Sequence, residues 1–115
     1  MNIYIYIRDW DSERLLSIVD FSDKVVLDIG SGTGRLAFAA ATKAKKVYAS
    51  EPGDCMREFM RDKIKKEKIS NVVVLDGTIE VIPFEDNTFD IVMCGHVLGV
   101  DIKKEIANLE RVTKN

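Results

Sequence analysis

Cysteine and histidine are scarce in this 115-residue chain, which holds two cysteines, Cys55 and Cys94, and one histidine, His96. The cysteines lie in separate predicted elements without CxxC or Cys/His spacing. That excludes a zinc-finger type of site and a disulfide framework, and leaves buried free thiols as the expectation. One histidine supplies too few ligands for a His-rich centre, so no metal is expected. An excess of one charge sign is missing too: 17 basic and 19 acidic residues give a formal net charge of -2. The chain therefore has no general electrostatic footprint for nucleic acid or an anionic membrane, and nucleic-acid contact is disfavoured unless local. Neither a signal-peptide pattern nor an apolar run near the roughly 18 residues of a membrane span is present, so a soluble, cytoplasmic protein is the default expectation. Internal repeats and low-complexity linkers are also absent. At 115 residues and 46% hydrophobic content, one compact α/β-sized domain fits, with no room for a separate substrate domain.

What the chain does have is alternation. Apolar runs of strand length, at Val25 to Ile29, Val47 to Ser50, Val72 to Leu75 and Phe89 to Cys94, alternate with the helical-period stretches "GRLAFAAATKA", "CMREFMRDKIKKE" and "IKKEIANLERV". Alternation of this kind implies βαβ units and a parallel sheet. The nearly continuous apolar character of the strands suits strands covered on both faces. The opening "MNIYIYIRDWDSERLLSIV" differs: Ile3, Ile5 and Ile7 alternate with Tyr4 and Tyr6 before Asp11 or Ser12 caps a short helix through Val19. It reads as an appended strand or arm, with a flap over a ligand as the alternative.

The stretch "KVVLDIGSGTGRLAFAAA" carries the chemistry. Gly30, Gly32 and Gly34 permit positive φ and close ligand approach between a strand end and a helix start, which is where open α/β sheets bind ligands. A GxGxxG dinucleotide fingerprint needs a glycine where Arg35 stands, so a pyrophosphate fits poorly. Asp28, just before the loop, also disfavours a phosphate and suits an ammonium or sulfonium group. Glu51 ends the next strand in "VYASEP", about 20 residues on, where a carboxylate accepts hydrogen bonds from both ribose hydroxyls. Read alone, Glu51 is simply a solvated turn residue, and its position relative to the loop is what favours ribose binding.

Four ordered segments, "VVLDIGSGTG", "ASEPGDCM", "GTIEVIPFEDNTFDIVMCGHVL" and "LERVTKN", resemble the motifs of class I S-adenosylmethionine-dependent methyltransferases. The nearest branch is the type 11 group that includes the ubiquinone and menaquinone methyltransferases. The resemblance runs from about Lys24 to Asn115. It implies an α/β, Rossmann-like doubly wound parallel sheet with strand order 3-2-1-4, divided as an N-terminal arm and helix over 1–23 and an S-adenosylmethionine-binding domain over 24–115. It further implies that Asp28 and the backbone of Gly30, Ser31 and Gly32 face the methionine part of the cofactor, with Gly34 completing the loop and Glu51 on the ribose. Met56 would pack on the adenine face, or else be ordinary core. The family's acid and small residue beside adenine align with Thr78 and Ile79 rather than with Asp76, so a neutral hydroxyl replaces a charged acceptor. Cys94 and Gly95 would approach the methionine moiety.

The reaction implied is methyl transfer to a nucleophile by in-line displacement, helped chiefly by alignment of the reactants. His96 is a candidate general base, although a lone histidine is more often structural. The region "MCGHVLGVD" lacks both the Asn/Asp-Pro-Pro-aromatic motif of the enzymes that act on base amines and the paired glutamates of protein arginine methyltransferases. The implied acceptor is a small or lipid-like molecule. In the family a further strand pairs beside the fourth, and here that strand is missing. The edge of strand 89–94 is therefore expected to pair with another chain, as in a homo-oligomer, or with the "IYIYI" segment, and the 115-residue chain is expected to lack turnover of its own. A non-catalytic cofactor-binding or regulatory module and a nicotinamide-dependent oxidoreductase fragment are the alternatives.

Overall fold

A computed structural model of the chain describes residues 4–7, 12–77, 84–86, 88–95 and 102–114. The elements in order are β1 (Tyr4–Ile7), α1 (Ser12–Ile18), β2 (Val25–Ile29), α2 (Arg35–Ala41), β3 (Lys46–Ser50), α3 (Asp54–Glu67), β4 (Val72–Leu75), β5 (Ile91–Gly95) and α4 (Ile102–Val112). All the strand pairings are parallel, in the order β1-β5-β2-β3-β4. Counted from Val25, the last four strands stand in the expected order 3-2-1-4 of a doubly wound, Rossmann-like sheet.

Period-2 alternation divides the strand residues between two cores. Val26, Val47, Ala49, Ile91 and Met93 face α1, α2 and α3, where Leu15, Ala37, Ala40 and Met60 bury against them. Small alanines on α2 let that helix lie close to the sheet. Leu27, Ile29 and Val92 face the other way, against Leu109 and Val112 of α4 and against Phe89. On this second face Tyr48, Phe84 and Phe89 meet edge to face, with centroids 4.8–5.7 Å apart, an arrangement that aromatic quadrupoles favour. Full burial of side chains such as Leu27 or Phe21 contributes about 1.5–3 kcal/mol each. β4 departs from the both-faces expectation. Val72 and Val74 are buried while Val73 and Leu75 are half-buried, because β4 is an edge strand.

Two boundaries move for identifiable reasons. The expected strand 89–94 begins at Ile91, because the Phe89 N–H donates to Val112 and the Phe89 carbonyl accepts from Lys114, both at the end of α4. Only with Asp90, whose N–H donates to the Val25 carbonyl, does the chain enter the sheet. α2 stops at Ala41, since the N–H groups of Thr42 and Lys43 turn back to Ala39 and Ala40.

The edge of strand 89–94, expected to pair with another chain or with the "IYIYI" segment, is taken by that segment. Tyr4, Ile5, Tyr6 and Ile7 register in parallel with Val92, Met93, Cys94 and Gly95. β1 lies in the sheet and not over the glycine loop as a flap. Among the described residues the two edges are then β1 and β4. Among the described residues no helix is long and apolar enough to cross a membrane.

Candidate functional site

The C-terminal ends of β2 and β3 gather most of the residues singled out above. After Ile29 the chain turns through Gly30, Gly32 and Gly34, with φ of 72°, 61° and 89°, in the left-handed region that glycine tolerates best. The loop is fastened to the next strand. Gly30 and Ser31 N–H groups both donate to the Ser50 carbonyl, at 2.8 and 3.2 Å, and Gly34 N–H donates to the Ser31 carbonyl at 2.9 Å. Ser31 Oγ donates to the Asp28 carbonyl at 2.8 Å.

Glu51 joins the loop to α3. Its Oε1 accepts from the Gly32 N–H at 2.9 Å and its Oε2 from the Gly53 N–H at 2.8 Å. A carboxylate has about four lone-pair sites, so each oxygen keeps room for a further donor. Gly53 is what permits this approach: a Cβ there would stand 3.0 Å from Glu51 Oε2.

The glycines differ in what they serve. A Cβ on Gly32 would meet nothing within 4 Å, so that glycine borders open space. A Cβ on Gly34 would lie 2.6 Å from the Phe38 ring and 2.9 Å from Met60 Sδ. Gly34, expected to line the ligand, is instead buried and is needed for the packing of α2 on α3.

Asp28 is 3% exposed. Burial pushes its carboxyl up from 3.8 to about 7, with the Ser31 side chain opposing the rise and the Glu51 charge adding to it. Near neutral pH the group sits close to half-ionised, and a cation beside it would draw it to the charged form.

The N–H groups of Gly30, Ser31, Gly32 and Gly34 already have intramolecular acceptors. What the loop offers a ligand is acceptor capacity, on carbonyls and carboxylates, and that suits a cation or hydroxyls rather than a phosphate.

Met56 is 43% exposed, which removes the core reading and leaves it as an apolar surface beside Gly53. Cys55, expected as a buried thiol, is free and exposed, because it stands on the outer side of the first turn of α3. Cys94 pairs in register with Ile29 and with Tyr6, and Gly95 with Ile7, so the end of β5 reaches the same end of the sheet. Thr78, Ile79 and His96 lie outside the described residues.

Sequence reasoning missed Arg57. Its Nη1 donates to the Glu51 carbonyl at 2.8 Å and lies 3.3 Å from Asp76 Oδ1, while Nη2 donates to Asp54. The available signal was an i,i+3 Asp54 and Arg57 pair six residues after the strand-ending acid.

Residues 26–115 match the family described as methyltransferase domain. The chain is similar to the uncharacterized methyltransferase C1B3.06c of Schizosaccharomyces pombe, with 37% identity over 114 residues, 90% of this chain and 40% of that protein. It is also similar to the histone-arginine methyltransferase CARMER of Drosophila erecta, with 34% identity over 84 residues, 71% of this chain and 16% of that protein. Among solved structures, a SAM-dependent methyltransferase from Aquifex aeolicus superposes with a TM-score of 0.78 at 27% identity, covering 91% of this chain and 59% of that one. The chain thus spans less than two thirds of each of these proteins. A family match over almost all of the sheet, on a fold whose strand order and glycine loop agree with it, settles the family: this chain belongs to the methyltransferase-domain family.

Proposed function

We propose that the chain binds S-adenosylmethionine at the C-terminal ends of β2 and β3, and that the whole protein is a methyltransferase acting on a small or lipid-like acceptor. The observation that carries this reading is the Glu51 carboxylate, fixed by the Gly32 and Gly53 N–H groups beside an open space, with lone pairs left for ribose hydroxyls. Asp28 and the loop carbonyls suit the ammonium of the methionine part. Met56 offers apolar surface to the adenine, and Thr78 and Ile79 its polar edge. Cys94 and Gly95 border the methionine side.

When bound, the cofactor supplies a sulfonium methyl group to a nucleophile. The residues of this chain contribute orientation, holding the ribose through Glu51 and the amino group through Asp28 so that an acceptor can approach in line. His96, following β5, is the proposed proton acceptor for an oxygen or nitrogen nucleophile. A nicotinamide dinucleotide is disfavoured, because its pyrophosphate needs N–H donors that this loop has already committed.

Calorimetry with S-adenosylhomocysteine against NAD tests the cofactor. Binding of the first alone is expected, and preferential binding of NAD would overturn the reading. Transfer of labelled methyl from the cofactor to a metabolite and lipid extract by the full-length protein tests the acceptor class. Label appearing only in protein would move the acceptor to a polypeptide.

A further inference from the structure

Beyond the groups that would touch the cofactor, one cation stands behind them. Arg57 sits in the first turns of α3 with its side chain only 12% exposed, and its guanidinium reaches three chain segments. These are the carbonyl of Glu51 at the end of β3, the carboxylate of Asp54 in its own helix, and the carboxylate of Asp76 just past β4. Asp54 and Asp76 are themselves exposed, at 92% and 73%. The buried partner is the cation, and the carboxylates face solvent at the rim.

The Glu51 carbonyl belongs to the peptide that leads into Pro52 and Gly53. Rotation of that peptide about the Glu51 Cα–C bond would move the Gly53 N–H off Oε2, and the carboxylate would lose one of its two anchors. Arg57 holds that carbonyl with a charge-assisted bond, stronger than a neutral one. The same guanidinium ties the β4 exit to the β3 exit through Asp76, in parallel with the Glu51 N–H donating to the Leu75 carbonyl at 2.9 Å. A planar fork with several fixed donors can do both at once, and a lysine ammonium on a flexible stem cannot match its geometry.

We propose that Arg57 is a positioning residue for the nucleoside half of the cofactor site: it fixes the Glu51 carboxylate and the exit of β4 before any ligand arrives. The inference rests on the cofactor reading given above. Its own signature is nevertheless visible without ligand, because the Gly32 and Gly53 amide protons report on the Glu51 carboxylate they bond.

The test compares the 15N-labelled chain with Arg57→Met and Arg57→Lys. In Arg57→Met the Gly32 and Gly53 amide protons should move upfield and exchange faster with solvent. S-adenosylhomocysteine and 5′-methylthioadenosine, which lacks the amino-acid part, should both bind about tenfold more weakly, by similar factors. Arg57→Lys should recover part of that loss. Asp76→Asn should weaken binding in the wild-type background and much less in Arg57→Met, since the two act through one contact. A folded Arg57→Met with unchanged glycine amides and unchanged affinity overturns the proposal, as does a loss confined to S-adenosylhomocysteine. If Arg57→Met does not fold, unchanged amides and affinity in Arg57→Lys overturn it. A wild-type chain that binds neither ligand instead defeats the cofactor reading, and the glycine amides still decide whether Arg57 holds Glu51.

Discussion

At the N-terminal end of the sheet, Asn71 Nδ2 donates to the carbonyls of Ala41 and Ala44 at 2.8 and 3.1 Å. Beside it the N–H groups of Lys45 and Lys46 both reach the Lys24 carbonyl, and that of Val47 reaches Asn71. At the C-terminal end, the glycine loop is fastened just as firmly, yet through acceptors that keep capacity in reserve: the Glu51 carboxylate and, next to it, the buried Asp28. The C-terminal end is therefore no looser than its opposite. It differs in composition, with backbone donors committed and acidic acceptors in surplus, and that surplus selects for hydroxyls and cations.

The sharpest way to break this comparison is to fill the glycine that faces inward and the one that faces outward. Gly34→Ala adds both a left-handed backbone cost and a collision with Phe38 and Met60, and should destabilise the chain by about 2–4 kcal/mol in denaturant unfolding. Gly32→Ala meets only the backbone cost, about 1–2 kcal/mol, and should weaken S-adenosylhomocysteine binding in the folded protein. Equal losses of stability at the two positions would mean that the loop is packed alike on both sides.

Removing the acceptor itself comes next. Glu51→Ala should weaken S-adenosylhomocysteine by about 1.5–3 kcal/mol, since a charged acceptor is lost and two glycine N–H groups lose their partner. Calorimetry on the folded variant is the measurement, and unchanged affinity would remove Glu51 from the ribose.

A smaller effect follows from Asp28. Its folded carboxyl is raised from 3.8 to about 7, so the native state keeps a proton that the unfolded chain releases. The stability it contributes is fully present below 3.8 and is lost as pH rises to about 7. Against wild type, Asp28→Asn should flatten the stability curve across that window. Because an ammonium prefers the ionised carboxylate, S-adenosylhomocysteine affinity should rise by roughly 1–2 kcal/mol from pH 5.5 to 7 in wild type and stay level in Asp28→Asn. A level wild-type profile would separate Asp28 from the amino group.

Much of this was legible before the fold was known. Strand and helix periods located β2 and β4 to the residue, and the acid and glycine spacing marked Asp28, Gly32 and Glu51, because each depends on local pattern. What the pattern did not carry depends on tertiary neighbours. Gly34 looked like its fellow glycines until Phe38 and Met60 were brought beside it. That the N–H groups of Gly30 and Ser31 are taken by the Ser50 carbonyl depends on β3 standing beside the loop. Arg57 was not singled out by any local pattern, and only folding sets its guanidinium against the exits of both β3 and β4. The Ile/Tyr alternation at the start was legible as a strand, and its pairing with β5, almost ninety residues away along the chain, was one of the pairings expected for that edge.

The gentlest probe concerns Met56, where binding and stability should part company. Its side chain is 43% exposed, so truncation removes little that the folded chain has buried. Met56→Ala should leave unfolding stability within about 0.5 kcal/mol of wild type, as surface substitutions usually do. If the thioether covers adenine, the same change removes apolar contact that forms only in the complex, and S-adenosylhomocysteine should bind about 0.5–1 kcal/mol more weakly. 5′-Methylthioadenosine should lose as much, because the lost contact is with the base and not with the amino-acid part. Thermal melting with and without ligand separates the two quantities in one preparation. A fall in stability of the ligand-free chain with no change in affinity would return Met56 to a packing role and leave the adenine face to residues after β4.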